Sequence, residues 1–501
     1  MASITLTGTS PPVVLHHRMG ETVHETLSRY GIYHAAPCGG QGLCKHCKVI
    51  IQGDVTPPAR QEYEYLNDDE LLAGVRFCCM AIPTGDCQVT LPSDRLTRQE
   101  PIATQNALPT EGKQGYALGI DIGTTTLAVY LYSRKNGVQM AVASAQNRQS
   151  ALGDDVISRI GAVTTLHALP RLQQSVCQQL TELIHSVCRK ANIAAEEICT
   201  CSVAANTTML HLLTGLDPTS IGVAPFTPLS LFGTMYRGEQ LNLPLWCEVY
   251  LIPCLSAYVG GDITAGIVAC GMDETDDTRL LIDVGTNGKM ALCHQGHIYC
   301  LATAAGPAFE GAHIHCGVGG IPGAICRMDE QGFQTVDDAP PTGICGSGLL
   351  DAVALMLRQE VLDETGYLEE DYPLIEGTPL VLTPKDIREI QLAKSAICSG
   401  VLRLCELAGI TPQQVSQVYF AGGFGSHINP HSAAAIGLIP KELAQKCVAV
   451  GNTAGLGASK ASLSEGFRLR LDELSDRVTY FELSGDARFN ELFMENMLFE
   501  G

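Results

Sequence analysis

Apolar and polar residues alternate along Ser3–Leu6, and with the short apolar stretch Pro12–His16 that follows they read as a short β-hairpin. The spacing becomes helical over Thr22–Tyr30 and stops at Gly31, and a short apolar β-branched run reads as a strand at Lys48–Ile51. A further apolar run, Gly74–Met80, predicts a strand on which Cys78 and Cys79 point to opposite faces. From Pro92 to Gly115 periodicity disappears, and Gln99, Pro101, Gln105, Asn106, Pro109 and Gln114 give the stretch linker composition. Beyond it, Ala117–Leu131 predicts two strands joined by a Gly-Thr turn. The same pattern recurs at Leu280–Leu292, about 160 residues later, which points to duplicated halves. An apolar strand from Val418 runs into Gly422 and Gly423. Two helices stand out. One covers Leu349–Leu357. The other, Ile387–Ala408, opens on Thr383-Pro384-Lys385-Asp386, with Thr383 as cap, proline in the first turn and Asp386 closing a capping box, and it ends at Gly409.

Length and charge narrow the classes. With 501 residues the chain suggests about three folding units. Its 32 Lys and Arg against 53 Asp and Glu leave a net charge of −21, the wrong sign for binding nucleic acid. No apolar run reaches the ~18 residues of a membrane span, and Met1–Gly20, broken by Pro11, Pro12, His16 and His17, lacks a signal-peptide pattern. A cytoplasmic protein is expected. The 21 cysteines then imply buried thiols, metal ligands or both, not disulfides. Cys177, Cys188, Cys270, Cys398, Cys405 and Cys447 sit singly in apolar surroundings and read as core residues.

One group of cysteines is different. Cys38, Cys44 and Cys47 share a glycine-rich loop, Pro37-Cys38-Gly39-Gly40-Gln41-Gly42-Leu43-Cys44-Lys45-His46-Cys47. Glycines let the backbone close around an inorganic core and aim N–H groups at its sulfides. An iron–sulfur cluster needs four thiolates, and the fourth is Cys78 or Cys79. Zinc is the alternative, but zinc ribbons use two CxxC pairs and only Cys44–Cys47 has that spacing. The arrangement resembles the 2Fe–2S ferredoxins of the adrenodoxin kind. Laid on their pattern, Arg76-Phe77-Cys78-Cys79-Met80 makes Cys79 the ligand and Cys78 a bystander, within a β-grasp fold.

The remaining chain carries nucleotide chemistry. Asp121 ends one predicted strand before Gly123, Thr124, Thr125 and Thr126; Asp283 ends the matching strand before Gly285, Thr286 and Asn287. Glycine exposes backbone donors to phosphate oxygens, Thr hydroxyls add more, and each Asp suits Mg²⁺ through its waters or an attacking water. Gly346 and Ser347 open a helix whose N-terminus suits an anion, and Lys394 with Gln391 sits where a helix can flank a ribose or adenine. Gly260-Gly261-Asp262 offers either a further carboxylate for a metal shell or a helix cap. Asn206-Thr207 and Asn452-Thr453 look like paired connections of the two halves. Gly422, Gly423 and Phe424 complete a resemblance, over Ala117 to the C-terminus, to the actin, sugar-kinase and heat-shock chaperone superfamily. That implies an α+β chain overall: a ferredoxin domain at 1–94, a linker at 95–116, and a duplicated, ribonuclease H-like ATPase with lobes at 117–265 and 266–501, binding ATP and Mg²⁺.

Ferredoxin in front and actin-like ATPase behind resembles the reductive activators of corrinoid proteins. The likeness also covers Gly153–Ile160, Gly306–His313 and Asp386–Lys394. It implies an ATP-dependent one-electron return of cobalt(II) to cobalt(I) on the corrinoid protein of a methyltransferase system, fed by an unidentified low-potential donor. Dimerisation is implied by the family alone. Two other readings fit less well. A small-molecule kinase has no use for an electron carrier, and the acyl-CoA dehydratase activators carry their cluster inside the ATPase part, where Cys316 and Cys326 are too widely spaced.

Overall fold

Ile4 and Leu6 are buried between half-exposed neighbours, so the first strand has one inward face, as its alternation requires. In a computed structural model, described here over residues 3–7, 13–30, 47–91, 107–425 and 427–499, this strand heads a five-stranded mixed sheet. Its members are β1 (Ser3–Thr7), β2 (Val13–His16), β3 (Lys48–Val55), β4 (Val75–Phe77) and β5 (Pro83–Thr90), in the order β2-β1-β5-β3-β4. β1 runs parallel to β5 in the middle of the sheet, and the other pairs are antiparallel. The helix Val23–Arg29 adds Val23 and Leu27 to the core below, beside Phe77 and Cys78. The predicted strand Gly74–Met80 is cut short. It ends at Phe77, whose carbonyl accepts from the N–H groups of Met80 and Ala81 and so starts a turn. Cys78 and Cys79 therefore diverge because they occupy that turn, not because of strand alternation.

A buried ion pair holds the turn. The Glu62 carboxylate, with no exposure to solvent, accepts from Arg76 Nε at 2.9 Å and Nη2 at 2.8 Å, and from the Phe77 N–H at 2.8 Å. Removing one partner of a buried, bidentate pair costs about 3–5 kcal/mol because the other charge is stranded. Arg76→Met is accordingly expected to lower the urea midpoint of this module sharply. A midpoint within experimental error of the parent would show that the pair contributes nothing net.

Two six-stranded sheets follow. The first contains β6 (Tyr116–Ile122), β7 (Thr126–Ser133), β8 (Gln139–Gln146), β9 (Ile198–Ala205), β10 (Thr234–Arg237) and β11 (Glu248–Leu251), ordered β10-β11-β9-β6-β7-β8. The second begins with β12 (Arg279–Val284), β13 (Gly288–His294) and β14 (His297–Thr303). Two small sheets intervene, formed by β15 (Ala324–Asp329), β16 (Gly332–Thr335) and β17 (Gly343–Ile344), and by β18 (Tyr372–Pro373) and β19 (Val381–Leu382). The second large sheet is completed by β20 (Gln417–Ala421), β21 (Cys447–Gly451) and β22 (Val478–Tyr480), giving β21-β20-β12-β13-β14-β22. In each sheet an antiparallel three-strand meander is extended by two parallel strands. β6, β7, β8, β9 and β11 thus correspond to β12, β13, β14, β20 and β21. The halves differ at their edges, where β10 and β22 are added on opposite sides.

The same correspondence corrects one pairing. Asn206 follows β9, the fourth strand of its half, whereas Asn452 follows β21, the fifth. They are not equivalent connections, although Asn206 reaches Thr124 and Asn452 reaches Asp121, three residues apart. Between the sheets the helices Gly261–Ala269 and Thr453–Leu463 cross at small residues. A Cβ on Gly457 would lie 2.7 Å from that of Ala265. Residue 265 lies inside the first of these helices, and the second sheet starts at Arg279. The outer face of the first sheet is covered by Leu169–Ala191 and Thr207–Thr214, that of the second by Gly346–Arg358 and Pro384–Leu407. Among the described residues no helix is long and apolar enough to cross a membrane.

Candidate functional site

Corresponding strands carry corresponding residues. Asp121 lies near the end of β6 and Asp283 near the end of β12, each followed by a glycine turn. Gly123 closes the first turn by donating its N–H to the Thr126 carbonyl at 2.9 Å. The carbonyls of that loop are all engaged. Gly123 O accepts from Asn147 Nδ2 at 2.9 Å, Thr124 O from Arg159 Nη2 at 2.6 Å, and Thr125 O from the Asn147 N–H at 2.7 Å. Arg159 is fully buried and also donates from Nε to Gly153 O at 2.7 Å, which explains why the Gly153–Ile160 segment accompanies the loop. Asn206 Nδ2 donates to Thr124 Oγ1 at 3.0 Å.

Asp121 is bound across the molecule. Asn452, from the start of the helix Thr453–Leu463, donates Nδ2 to Asp121 Oδ2 at 2.7 Å and to Tyr130 Oη at 3.2 Å. Lys289, paired with Asp283 across β12 and β13, places its ammonium 2.5 Å from Asp262 Oδ2 and 3.6 Å from Asp283 Oδ2. Gly260 is the cap of the following helix and Asp262 stands in its first turn, so the capping role and the carboxylate role fall to different residues. Gly422, with φ +81°, approaches Asp283 so closely that a Cβ would lie 2.6 Å from Oδ1. That brings the third glycine loop onto the second aspartate.

Three carboxylates thus share one ammonium. Burial pushes Asp121 up to about 7, with Asp262 and Asp283 adding repulsion, against the pull of Asn452 and Lys289. Burial raises Asp283 as well, opposed by Lys289. Burial alone would lower Lys289, but the attraction of Asp262 and Asp283 prevails and holds it above its ordinary value. A site built this way favours a proton or an added cation. Among the described residues no three acidic, His or Cys side chains converge to ligate one ion directly.

Glu310 carries no signal of its own in the sequence. Its Oε2 accepts from Thr286 Oγ1 at 2.8 Å, on the second loop, and burial raises its pKa too. Its neighbour Phe309 stacks on Phe424 with ring centres 5.2 Å apart and planes at 14°, and both rest on Gly346, where a Cβ would meet the Phe309 carbonyl and the Phe424 ring. Ser347 donates to Cys326 O at 2.9 Å and is buried. Lys394 and Gln391 lie apart from this group. Both are buried under the C-terminal segment, Lys394 donating to Leu498 O and Gln391 to Met497 O at 3.0 Å.

At the other end, Cys47 and Cys79 place their Sγ atoms 3.2 Å apart, both buried. The gap exceeds a disulfide bond of about 2.05 Å, so the two thiols face each other without being covalently bonded. Cys78 is in the core, its N–H on Cys47 O at 2.9 Å. Cys38 and Cys44 lie outside the described residues.

Comparison with known proteins follows these divisions. Residues 116–275 match the RACo middle region, and 277–501 match the C-terminal domain of RACo, the ASKHA domain. The corrinoid activation enzyme RamQ of Eubacterium limosum is 33% identical over 418 residues, 77% of this chain and 70% of that protein. The chain belongs to the corrinoid activation enzymes. The solved structure of a reductive activator for corrinoid, iron-sulfur protein superposes with a TM-score of 0.69 at 27% identity, over 99% of this chain and 98% of that one. A stretch of 78 residues, 15% of the chain, is 31% identical to one component of the Na⁺-translocating NADH-quinone reductase of Serratia proteamaculans, covering 18% of that component. In this activation enzyme residues 277–501 therefore form the ASKHA domain.

Proposed function

We propose that this activation enzyme uses ATP to return the cobalt of a corrinoid protein, one serving a methyltransferase system, from cobalt(II) to cobalt(I). The observation that carries the reading is the union in one chain of a buried Cys47–Cys79 thiol pair with the cluster of Asp121, Asp262 and Asp283 around Lys289. Cys38, Cys44, Cys47 and Cys79 are the thiolates proposed to hold a 2Fe–2S cluster. When bound, the cluster supplies a one-electron carrier. The five-stranded order fits a β-grasp ferredoxin module, and the pairing of thiols agrees with the likeness to a component of a quinone reductase.

Around these carboxylates, the Gly123–Thr126 and Gly285–Asn287 loops are proposed to take the phosphates of ATP, with Gly422 and Phe424 beside the nucleoside. Three carboxylates face the single ammonium of Lys289, which fits Mg²⁺ held through its water shell in place of protons. Glu310 holds the Thr286 hydroxyl, and Arg159 and Asn147 fix the first loop before substrate arrives. A loop held in place this way needs little rearrangement when phosphate binds. The crossing of Gly261–Ala269 with Thr453–Leu463 is the place where the lobes can turn on each other. Coupling is needed because each ~59 mV of adverse potential disfavours a one-electron step tenfold. The kinase and dehydratase-activator readings are not favoured by the relatives found.

The test is anaerobic. Reconstituted enzyme, a one-electron reductant and a corrinoid protein in its cobalt(II) state are mixed with and without ATP, and the cobalt(I) absorbance is followed. It is expected to rise only with ATP. An equal rise without nucleotide, or none with it, refutes the proposal.

A further inference from the structure

The redox module touches the ATPase through a histidine that nothing above has used. His24, in the helix Val23–Arg29, is buried, and its Nε2 lies 3.2 Å from the carbonyl of Ala151. Since a carbonyl only accepts, Nε2 carries a proton here, and the buried Nδ1 makes no hydrogen bond. Both ends of this contact lead to a site. On the module side, the His24 N–H donates to Cys78 O at 2.9 Å and the Val23 N–H to Ala81 O at 2.8 Å, so the helix start clasps the turn that carries Cys79. On the other side, Ala151 belongs to the short helix Arg148–Leu152. Asn147, its cap, holds Gly123 O and Thr125 O, and Gly153 just beyond it is tied by Arg159, which also holds Thr124 O.

We infer that the Arg148–Leu152 turn is an internal docking surface for the redox module, gripped by His24, and that nucleotide at the Gly123–Thr126 loop loosens the grip. This depends on the nucleotide site proposed above. The physical reason is continuity: Asn147 and Arg159 hold three consecutive loop carbonyls, so a shift of that loop on binding phosphate moves the turn that presents Ala151. The contact is also near balance. One neutral hydrogen bond is gained while one buried nitrogen is left unpaired, and these effects are of similar size. A small displacement then changes the docked population about five-fold, enough to free the module for an electron acceptor.

Hydrogen–deuterium exchange on the full-length, cluster-loaded protein tests this, with a non-hydrolysable ATP analogue and Mg²⁺ as the probe. Nucleotide is expected to slow exchange in 121–126 and to speed it about five-fold in Val23–Arg29. In His24→Phe, which keeps bulk but has no donor, Val23–Arg29 exchanges fast at the outset and ignores nucleotide. His24→Gln, which keeps an N–H of similar reach, restores the response. If 121–126 is protected while Val23–Arg29 in the parent protein does not respond, docking is overturned and the nucleotide site stands. Docking is overturned likewise if His24→Phe responds like the parent. If 121–126 gains no protection, both fall.

Discussion

Cys79→Ala is expected to yield a colourless protein that still hydrolyses ATP but generates no cobalt(I), whereas Cys78→Ala stays coloured and active. The adjacent thiols differ in what they face. Cys79 Sγ is 3.2 Å from Cys47 Sγ, and Cys78 packs with Val23, Leu27 and Phe77 in the module core. Truncating Cys78 removes one buried sulfur and costs about 1 kcal/mol, a shift in melting point and no more. Truncating Cys79 removes one of the four thiolates proposed to hold the cluster. Iron and sulfide analysis with visible spectra, taken after identical anaerobic reconstitution, separates the two variants. A coloured Cys79→Ala beside a colourless Cys78→Ala would exchange their roles.

The parts of the site visible in sequence are those written locally. Asp121 and Asp283 could be found because an apolar strand, an aspartate and a glycine turn lie next to one another, twice. Their partners come from elsewhere in the chain. Asn452 reaches Asp121 across 331 residues, and Lys289 and Asp262 reach each other across 27, so only the fold brings them together. Arg159 offered a signal that composition hid, since an arginine between Val156, Ile160 and Val163 on a helix face must find buried acceptors. Lys394 shows the reverse. Its helix and cap form as the sequence predicts, but the C-terminal segment that covers it leaves no local mark on residues 383–408. Strand order behaved similarly. The first two strands of each meander were legible from the repeat, while β8, β14 and the added edges β10 and β22 carry no distinguishing pattern.

Asp121→Asn is expected to cripple ATP hydrolysis and at the same time stabilise the empty enzyme at alkaline pH. In the native protein burial and two neighbouring carboxylates push Asp121 up to about 7, from an ordinary 3.8. Below about pH 4 the group is protonated both folded and unfolded, and costs nothing. Between there and 7 only the unfolded chain ionises, so stability falls as pH rises, and above 7 the loss is complete. At 1.36 kcal/mol per pH unit this amounts to at most about 4 kcal/mol, reduced by whatever water the site admits. Asparagine has no such cost, and its amide oxygen still accepts from Asn452. The variant should therefore melt several degrees higher at pH 8, less so at pH 5, and like the parent near pH 4. Turnover should drop at least ~100-fold, as when one preorganised group is lost from a site that stabilises developing charge. A gain in stability of equal size at pH 5 and pH 8 would mean that Asp121 is ionised throughout. The charge balance assigned to Asp121, Asp262, Asp283 and Lys289 would then be wrong.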